Sequence, residues 1–538
     1  MVTTLQTLVA LLLVAAAVAM VGTRLRVPVA IPLVLTGVGL ALIPGLPKVE
    51  LAPELVLLLI LPPLIYTASV AMSWREFCFN LRPIALLAIG CVIFTAGAVA
   101  AAVHFLFAVP WAVGFVLGAI IAPPDTVAPL AIARRLQLPH RLLVILEGEG
   151  LANDATALTL YRFAVAAVSV GAFSFEHALA TFGLIVVGEI GWGIVVGWAT
   201  LHLRRWVHEP RIEIMLSLLT PYIAFWVPEH LGGSGVLATV AAGLYIGWHG
   251  PKLISAATRL QGIFFWDFLT YLIESLIFLI TGLQARTLIE RMGWPTLELL
   301  VPAMVVTAVI IVARFMWVFP AIYVPRWVSP SLRVRDPAPP WQWAFMISFI
   351  GIRGVVSLAA ALALPLVVVS GQAFPDRDMI LFLTFCVILF TLVVQGLLLP
   401  AVCRALGLAH VGRREHQAER KSEFLARHAA IQAALDRLET LAHDRELPED
   451  VVTSVGSKHR DRLLHMGNRV DSENGRHPTS DLRDDLELLI IEAERAHVNA
   501  ASRAGNLSDE RRRRIERELD LREANLLHQH DEDPLLEP

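Results

Sequence analysis

The stretch GAIIAPPDTVAPLAI, residues 118–132, places Pro123, Pro124 and Asp125 inside an apolar run. Neither proline has an amide proton to donate, and each ring obstructs a continuing helix. Gly118 and Pro129 loosen the run further. If it crosses a membrane, it is expected to break into two half-helices near its middle. The break exposes backbone carbonyls and amides, which hydrocarbon does not tolerate unless they face protein or water. A cation can use those carbonyls. A plain proline kink is the alternative, and the carboxylate beside it weighs against that.

The rest of the chain supports the membrane reading. It has 538 residues, 56% apolar and 17% charged. Residues 1–410 hold 23 Lys/Arg and 19 Asp/Glu, whereas residues 411–538 hold 21 and 28. The first part is apolar and the second is a charged, soluble type of sequence. Runs near 20 residues, each able to cross ~30 Å of hydrocarbon at ~1.5 Å per residue, recur thirteen times. They fall at about 4–22, 28–45, 51–72, 83–107, 110–133, 140–170, 177–203, 212–228, 234–250, 261–283, 298–322, 341–370 and 379–407. The first has no basic residue ahead of it and is followed by RLRVP (24–28), so it reads as a span and not as a signal peptide. Loops on one side carry fifteen Lys/Arg and those on the other four. The positive-inside rule then puts the amino terminus outside and the tail in the cytoplasm. Trp74, Trp111, Trp206 and Trp341 fall near span ends, as interface anchors do. Cys78, Cys91, Cys386 and Cys403 show no metal spacing and no disulfide framework, and read as small apolar residues.

Nine charges fall inside these spans: Asp125, Glu147, Glu149, Asp154, Arg162, Glu189, Glu274, Arg314 and Arg353. Each costs at least ~2.5–3.5 kcal/mol at the bilayer centre, so such residues face the bundle interior and usually pair or work. A second interrupted span is MISFIGIRGVVSLAAALALP (346–365), where Gly351 and Gly354 bracket Arg353. The breaks lie in spans five and twelve. They occupy equivalent places if spans one to six and eight to thirteen form two inverted repeats, and paired interruptions point to a transport site at the midplane. In GEGLANDATAL (148–158), Glu149 and Asn153 are four apart and share a helix face. Asp154 lies fourteen residues past His140, ~21 Å deep. An ionised Asp there needs a partner. A proton or a metal cation can fill that role, but not both at once, and that competition is an exchange mechanism. Pairing of Asp154 with Arg353, Arg314 or Arg162 is the structural alternative.

IAPPDTVAPLAIARRLQLPHRLLVILEGEGLANDATALTLYRFAVAAV (121–168) resembles the monovalent cation:proton antiporter-1 family, the NhaP-type and NHE-type sodium/proton exchangers. Further matching landmarks are LPPLIY (61–66), GGSGVLATVAAGLYIG (232–247), FLITGLQ (278–284) and GIRGVVSLAAALALP (351–365). The resemblance implies that Asp154 binds cation and proton, with a monovalent cation at Asp154 and Asn153 as the neutral partner of electroneutral members. It implies that Asp125, Pro124 and Thr126 form the unwound crossing that completes the site. It makes Glu149 and Arg353 a structural ion pair. It also implies a homodimer, with a six-helix core domain moving against a dimer domain. Three departures stand out. Thr67 occupies a position where relatives often carry an acid, Gly150 one where many have Ser, and Pro124-Asp125-Thr126 one where the crossing is often Thr-Asp-Pro. The first two remove oxygen ligands, so backbone carbonyls or water would have to compensate. Glu274 is an additional acid, either a replacement ligand or, on balance, an auxiliary buried partner of Arg314.

The expectation is therefore an all-α polytopic membrane protein. It has about thirteen transmembrane helices, two inverted six-helix repeats with discontinuous helices 5 and 12, and a cytoplasmic, mostly helical tail over 411–538. Its expected activity is exchange of a monovalent cation for H+, with Na+ first and K+ or Li+ as alternatives, without a cofactor or nucleic acid. A cation channel or a membrane ion and pH sensor are the other classes. No nucleotide loop, catalytic triad or metal-spaced His/Cys set suggests an enzyme. In the tail, 415–450, 482–497 and 510–528 have helical apolar spacing. Ten of the seventeen histidines lie at or after His410, so the tail is also a candidate pH sensor. The final DEDPLLEP reads as disordered.

Overall fold

The computed structural model describes residues 2–531 other than 26–27, 45, 47–52, 54–55, 171–174, 208, 294–295, 369–370, 446–447, 471–477 and 504–508. The chain divides into two compact units, Met1–Glu415 and His416–Pro538. Regular structure among the described residues is helical, apart from one isolated bridge between Val367 and Ala373.

In the first unit the helices are α1 (Val2–Leu25), α2 (Ala30–Ala41), α3 (Val56–Ala71), α4 (Leu81–Phe107), α5 (Trp111–Ile121), α6 (Val127–Arg135), α7 (His140–Val170) and α8 (Phe175–Arg204). They continue with α9 (Pro210–His230), α10 (Val236–His249), α11 (Ala256–Met292), α12 (Leu297–Val328), α13 (Trp341–Phe349), α14 (Val355–Leu362) and α15 (Arg377–Ala405). Short helices Trp74–Phe79 and Pro330–Arg335 lie between them. Seven helices among the described residues are long and apolar enough to cross a membrane singly. The 31 residues of α7 extend ~46 Å, which also suffices. Leu184, Phe264 and Met304 turn apolar side chains outward, 72–76% exposed. That surface suits lipid and not water. The largest apolar core, with Val116, Leu117, Leu151, Phe225, Val306 and Leu383, ties α5, α7, α9, α12 and α15 together.

Both expected breaks are present. Helix α5 stops at Ile121, two residues before Pro123, and α6 restarts at Val127, whose amide donates to Asp125 Oδ1 at 3.0 Å. Pro129 sits in the first turn of α6, where a missing amide costs nothing. Helix α13 stops at Phe349, and Ile350–Gly354 are non-helical before α14. The span expected to reach about 370 ends at Leu362, just before Pro365. The two breaks meet: the Asp125 amide donates to the Ile352 carbonyl at 2.7 Å. A Cβ at Gly354 would stand 2.3 Å from Asp125 Oδ2, so only glycine permits this crossing. Three π-helical turns, Val56–Ile60, Leu86–Cys91 and Thr391–Gln395, were not expected from the sequence. The last carries the Thr391 hydroxyl that accepts from the Arg353 amide at 3.0 Å.

Glu189, one of the nine intramembrane charges, is 2% exposed and lies away from the breaks. Its carboxylate accepts from the amides of Ser234, Gly235 and Leu237 and from the Ser234 hydroxyl, so it caps the start of α10. A carboxylate suits the free amides of a helix N-terminus. Glu189→Ala leaves several buried donors unmet, each worth about 1–3 kcal/mol. It is expected to lower the melting temperature in detergent sharply, and Glu189→Gln much less. Equal melting of Glu189→Ala and wild type would refute the cap.

The second unit is helical over Glu449–Val470, Pro478–Arg503 and Asp509–Asp531, preceded by the part of Leu408–Asp444 it contains. Arg495 pairs with Asp520 and Glu523, and Arg522 with Glu494, joining the last two helices. Of DEDPLLEP, all but Asp531 lies outside the described residues.

Candidate ion-binding site

The nine buried charges sort into distinct arrangements. Asp125, Asp154 and Glu274 line one cavity of about 190 Å³. Its walls come from the break between α5 and α6, from α7, from one face of α3, from α11 and from the start of α14. Helix α7 contributes Glu147, Gly150, Leu151 and Asp154, which recur at three- and four-residue spacing and so share a face. Glu147 forms a 2.6 Å salt bridge with Arg134, which is 64% exposed, where α6 gives way to α7. Beyond Asp154 the same face continues as Ala157, Leu158 and Tyr161, which line a second cavity of only about 10 Å³. Pro123, Asp154, Val356 and Ser357 border both. A single water needs roughly 10–15 Å³. The larger space therefore admits a hydrated ion and the smaller one does not. Asp154 borders both, with no hydrogen bond or ion pair among the described residues, and the possible pairing with an arginine is not formed.

Asn153 sits on the adjoining face of α7 and is fully buried. Its Nδ2 donates to the Pro124 carbonyl at 2.7 Å, bracing the break, and its Oδ1 has no partner among the described residues. Thr126 packs directly on Gly150: a Cβ at 150 would lie 2.2 Å from Thr126 Oγ1. Thr67 is elsewhere. Its hydroxyl donates to the Pro63 and Leu64 carbonyls, and it does not border the cavity although Leu64 and Ala68 do.

Two expected pairings are corrected. Glu149 is bound by Arg314, not Arg353: Nη1 donates to Oε1 at 2.6 Å and Nη2 to Oε2 at 2.8 Å. Arg314 Nε also donates to the Ile347 carbonyl of α13 at 3.1 Å. Glu149 is 0% and Arg314 2% exposed. The guanidinium reaches Glu149 by passing over Gly351, where a Cβ would meet Arg314 Cδ at 2.9 Å. Arg353 instead folds onto its own break, donating to the Gly351 carbonyl at 2.9 Å, with Nε buried and unpartnered among the described residues. With Arg314 so engaged, the expected Glu274–Arg314 pair does not form, and Glu274 faces the cavity. The remaining charge, Arg162, pairs with Glu229.

Sequence reading missed Ser357, which is buried and borders both cavities beside Asp154. The only signal was its place just after the second break.

The model of the sodium/hydrogen exchanger transmembrane family matches residues 9–405. An uncharacterized Na+/H+ exchanger of Mycobacterium bovis is 37% identical over 525 residues, covering 95% of this chain and 94% of that one. A sodium, potassium, lithium and rubidium/H+ antiporter of Bacillus pumilus is 30% identical over 385 residues, covering 69% and 57%. Among solved structures, the sodium proton antiporter MjNhaP1 of Methanocaldococcus jannaschii superposes with a TM-score of 0.58 at 18% identity, covering 75% of this chain and 99% of that one. At that identity the match speaks for the fold. With the matched length of the family model, these findings place the protein as a multi-pass membrane protein: the chain belongs to the sodium/hydrogen exchanger family.

Proposed function

We propose that the protein is a secondary antiporter, not an enzyme, in which Asp154 binds a monovalent cation and a proton in turn, one for one. The observation that carries this is the position of Asp154: a carboxylate without a salt-bridge partner among the described residues, bordering both a larger and a much smaller cavity. A carboxylate there has two ways to lose its charge, by binding H+ or by binding a cation, and either complex is less costly to carry through a low-dielectric region than the bare anion. The crossing of the two broken helices and Asn153 surround the cation with fixed dipoles. The core helices rock about this site, exposing Asp154 to one side at a time.

The fifteen-to-four bias of Lys/Arg orients the Arg134–Glu147 end of the cavity toward the cytoplasm. Exchange is electroneutral on this reading, because Glu149 is engaged by Arg314 and Asp154 alone takes up one cation or one proton per cycle. Na+ is the first candidate, and the naming of K+, Li+ and Rb+ for the Bacillus relative makes K+ and Li+ the next. The protein works as a homodimer in the cell membrane and serves pH homeostasis.

The test is dissipation of a preset proton gradient in vesicles by NaCl, KCl or LiCl across a pH series. Cation-dependent, saturable dissipation insensitive to membrane voltage is expected. A voltage-dependent current would remove electroneutrality, and flux without proton counterflow would indicate a channel.

A further inference from the structure

We infer that the Thr126 hydroxyl is a direct oxygen ligand of the transported cation, seated there because residue 150 is glycine. This rests on the exchange reading above. Thr126 Oγ1 lies 2.2 Å, and its Cγ2 2.4 Å, from where a Cβ at position 150 would stand. A hydroxyl from the break before α6 thus fills side-chain space on α7. That space is four residues before Asp154 on the same face of α7, about 5–6 Å from it as Cβ positions go. One cation can bridge that separation. Thr126, Gly150 and Asp154 all border the larger cavity.

Several of the other oxygens nearby are committed. The Thr126 carbonyl accepts from the Leu130 amide at 2.9 Å, and the Pro124 carbonyl from Asn153 Nδ2. Asp125 Oδ1 accepts from the Val127 amide. The Thr126 hydroxyl has no hydrogen-bond partner among the described residues, so it is free to coordinate. A dehydrated Na+ or Li+ ion wants several hard oxygens. Gly150 is then not a missing ligand but the vacancy that admits one from the neighbouring element. Positions 126 and 150 act as a pair: one hydroxyl fits between α6 and α7, and two do not.

The test measures half-saturating Na+ and Li+, as chlorides, in the vesicle assay, together with Na+ binding to purified protein by calorimetry. Thr126→Val keeps the shape and removes the oxygen. It is expected to raise half-saturating Na+ roughly tenfold with the maximal rate within about twofold, and Thr126→Ser to restore it. Gly150→Ser alone collides with Thr126 and is expected to impair both binding and transport. Thr126→Ala with Gly150→Ser returns one hydroxyl from the other side and should recover Na+ binding. Unchanged Na+ affinity in Thr126→Val, or a double variant no better than Gly150→Ser, overturns the assignment. Failure of the exchange reading looks different: the wild type itself would dissipate no proton gradient, while the calorimetric comparison would still report on the hydroxyl.

Discussion

Asp154→Asn is expected to reduce cation-driven collapse of a proton gradient to the level of empty vesicles. Asn keeps the size and one oxygen but can neither titrate nor carry charge. The variant therefore removes both legs of the competition at once, whereas loss of a neutral ligand only weakens binding. The folded state should not suffer. Asp154 has no hydrogen bond or ion pair among the described residues and borders both cavities. Removing an unpaired intramembrane charge relieves a cost of a few kcal/mol. Asp154→Asn is accordingly expected to express like wild type and to melt in detergent at the same temperature or higher. An inactive but destabilised variant would mean that Asp154 holds structure together. An active one would end its assignment as the exchanging group. Asp125→Asn separates the two acids: it keeps an oxygen for the Val127 amide and is expected to weaken cation affinity while leaving measurable exchange.

The features legible in the sequence were those with a local cause. Pro123 and Pro124 remove amide donors, so the break in the fifth span could be placed to within a few residues, and Gly351 and Gly354 marked the second. Helix length and apolarity gave the membrane class. The four-residue spacing of Glu149 and Asn153 put them on one helix face. What failed was pairing between distant spans. Glu149 and Arg314 are 165 residues apart, and nothing in either span records that the guanidinium reaches across Gly351. Arg353 was the partner that the resemblance implied, yet the Gly351 carbonyl of its own break engages part of it first. Depth marked Glu189 only as a charge that pairs or works, and a backbone need fixes its role: α10 begins inside the bundle, and its amides have to be met. Thr126 over Gly150 was invisible for the same reason. A glycine reports that space exists, not which neighbour fills it.

Removing one member of the Glu149–Arg314 pair is expected to be the most destabilising single change in the membrane unit. The two side chains are joined by two parallel hydrogen bonds and are almost wholly buried. Breaking a buried pair from one side costs about 3–5 kcal/mol, because the other charge is left without a partner. Typical total stabilities are about 5–15 kcal/mol, so Arg314→Met and Glu149→Gln should each yield little monodisperse protein by size-exclusion chromatography. Arg314→Met also frees the Ile347 carbonyl, so it should be the worse of the two. Removing both charges together leaves no orphan, and replacing such pairs with apolar groups is often neutral. Glu149→Met with Arg314→Met is therefore expected to recover most of the yield and melting temperature. The same cycle run with Arg353 decides between the two arginines. If Glu149 were held by Arg353, then Glu149→Met with Arg353→Met would be the rescuing combination and the Arg314 double variant would stay unstable. With the observed geometry the coupling energy should appear in the Arg314 cycle and be small in the Arg353 cycle. Recovered protein would then carry a further consequence. Glu149 and Arg314 cancel each other, so the charge moved per cycle should not change, and exchange in the recovered double variant should remain insensitive to voltage.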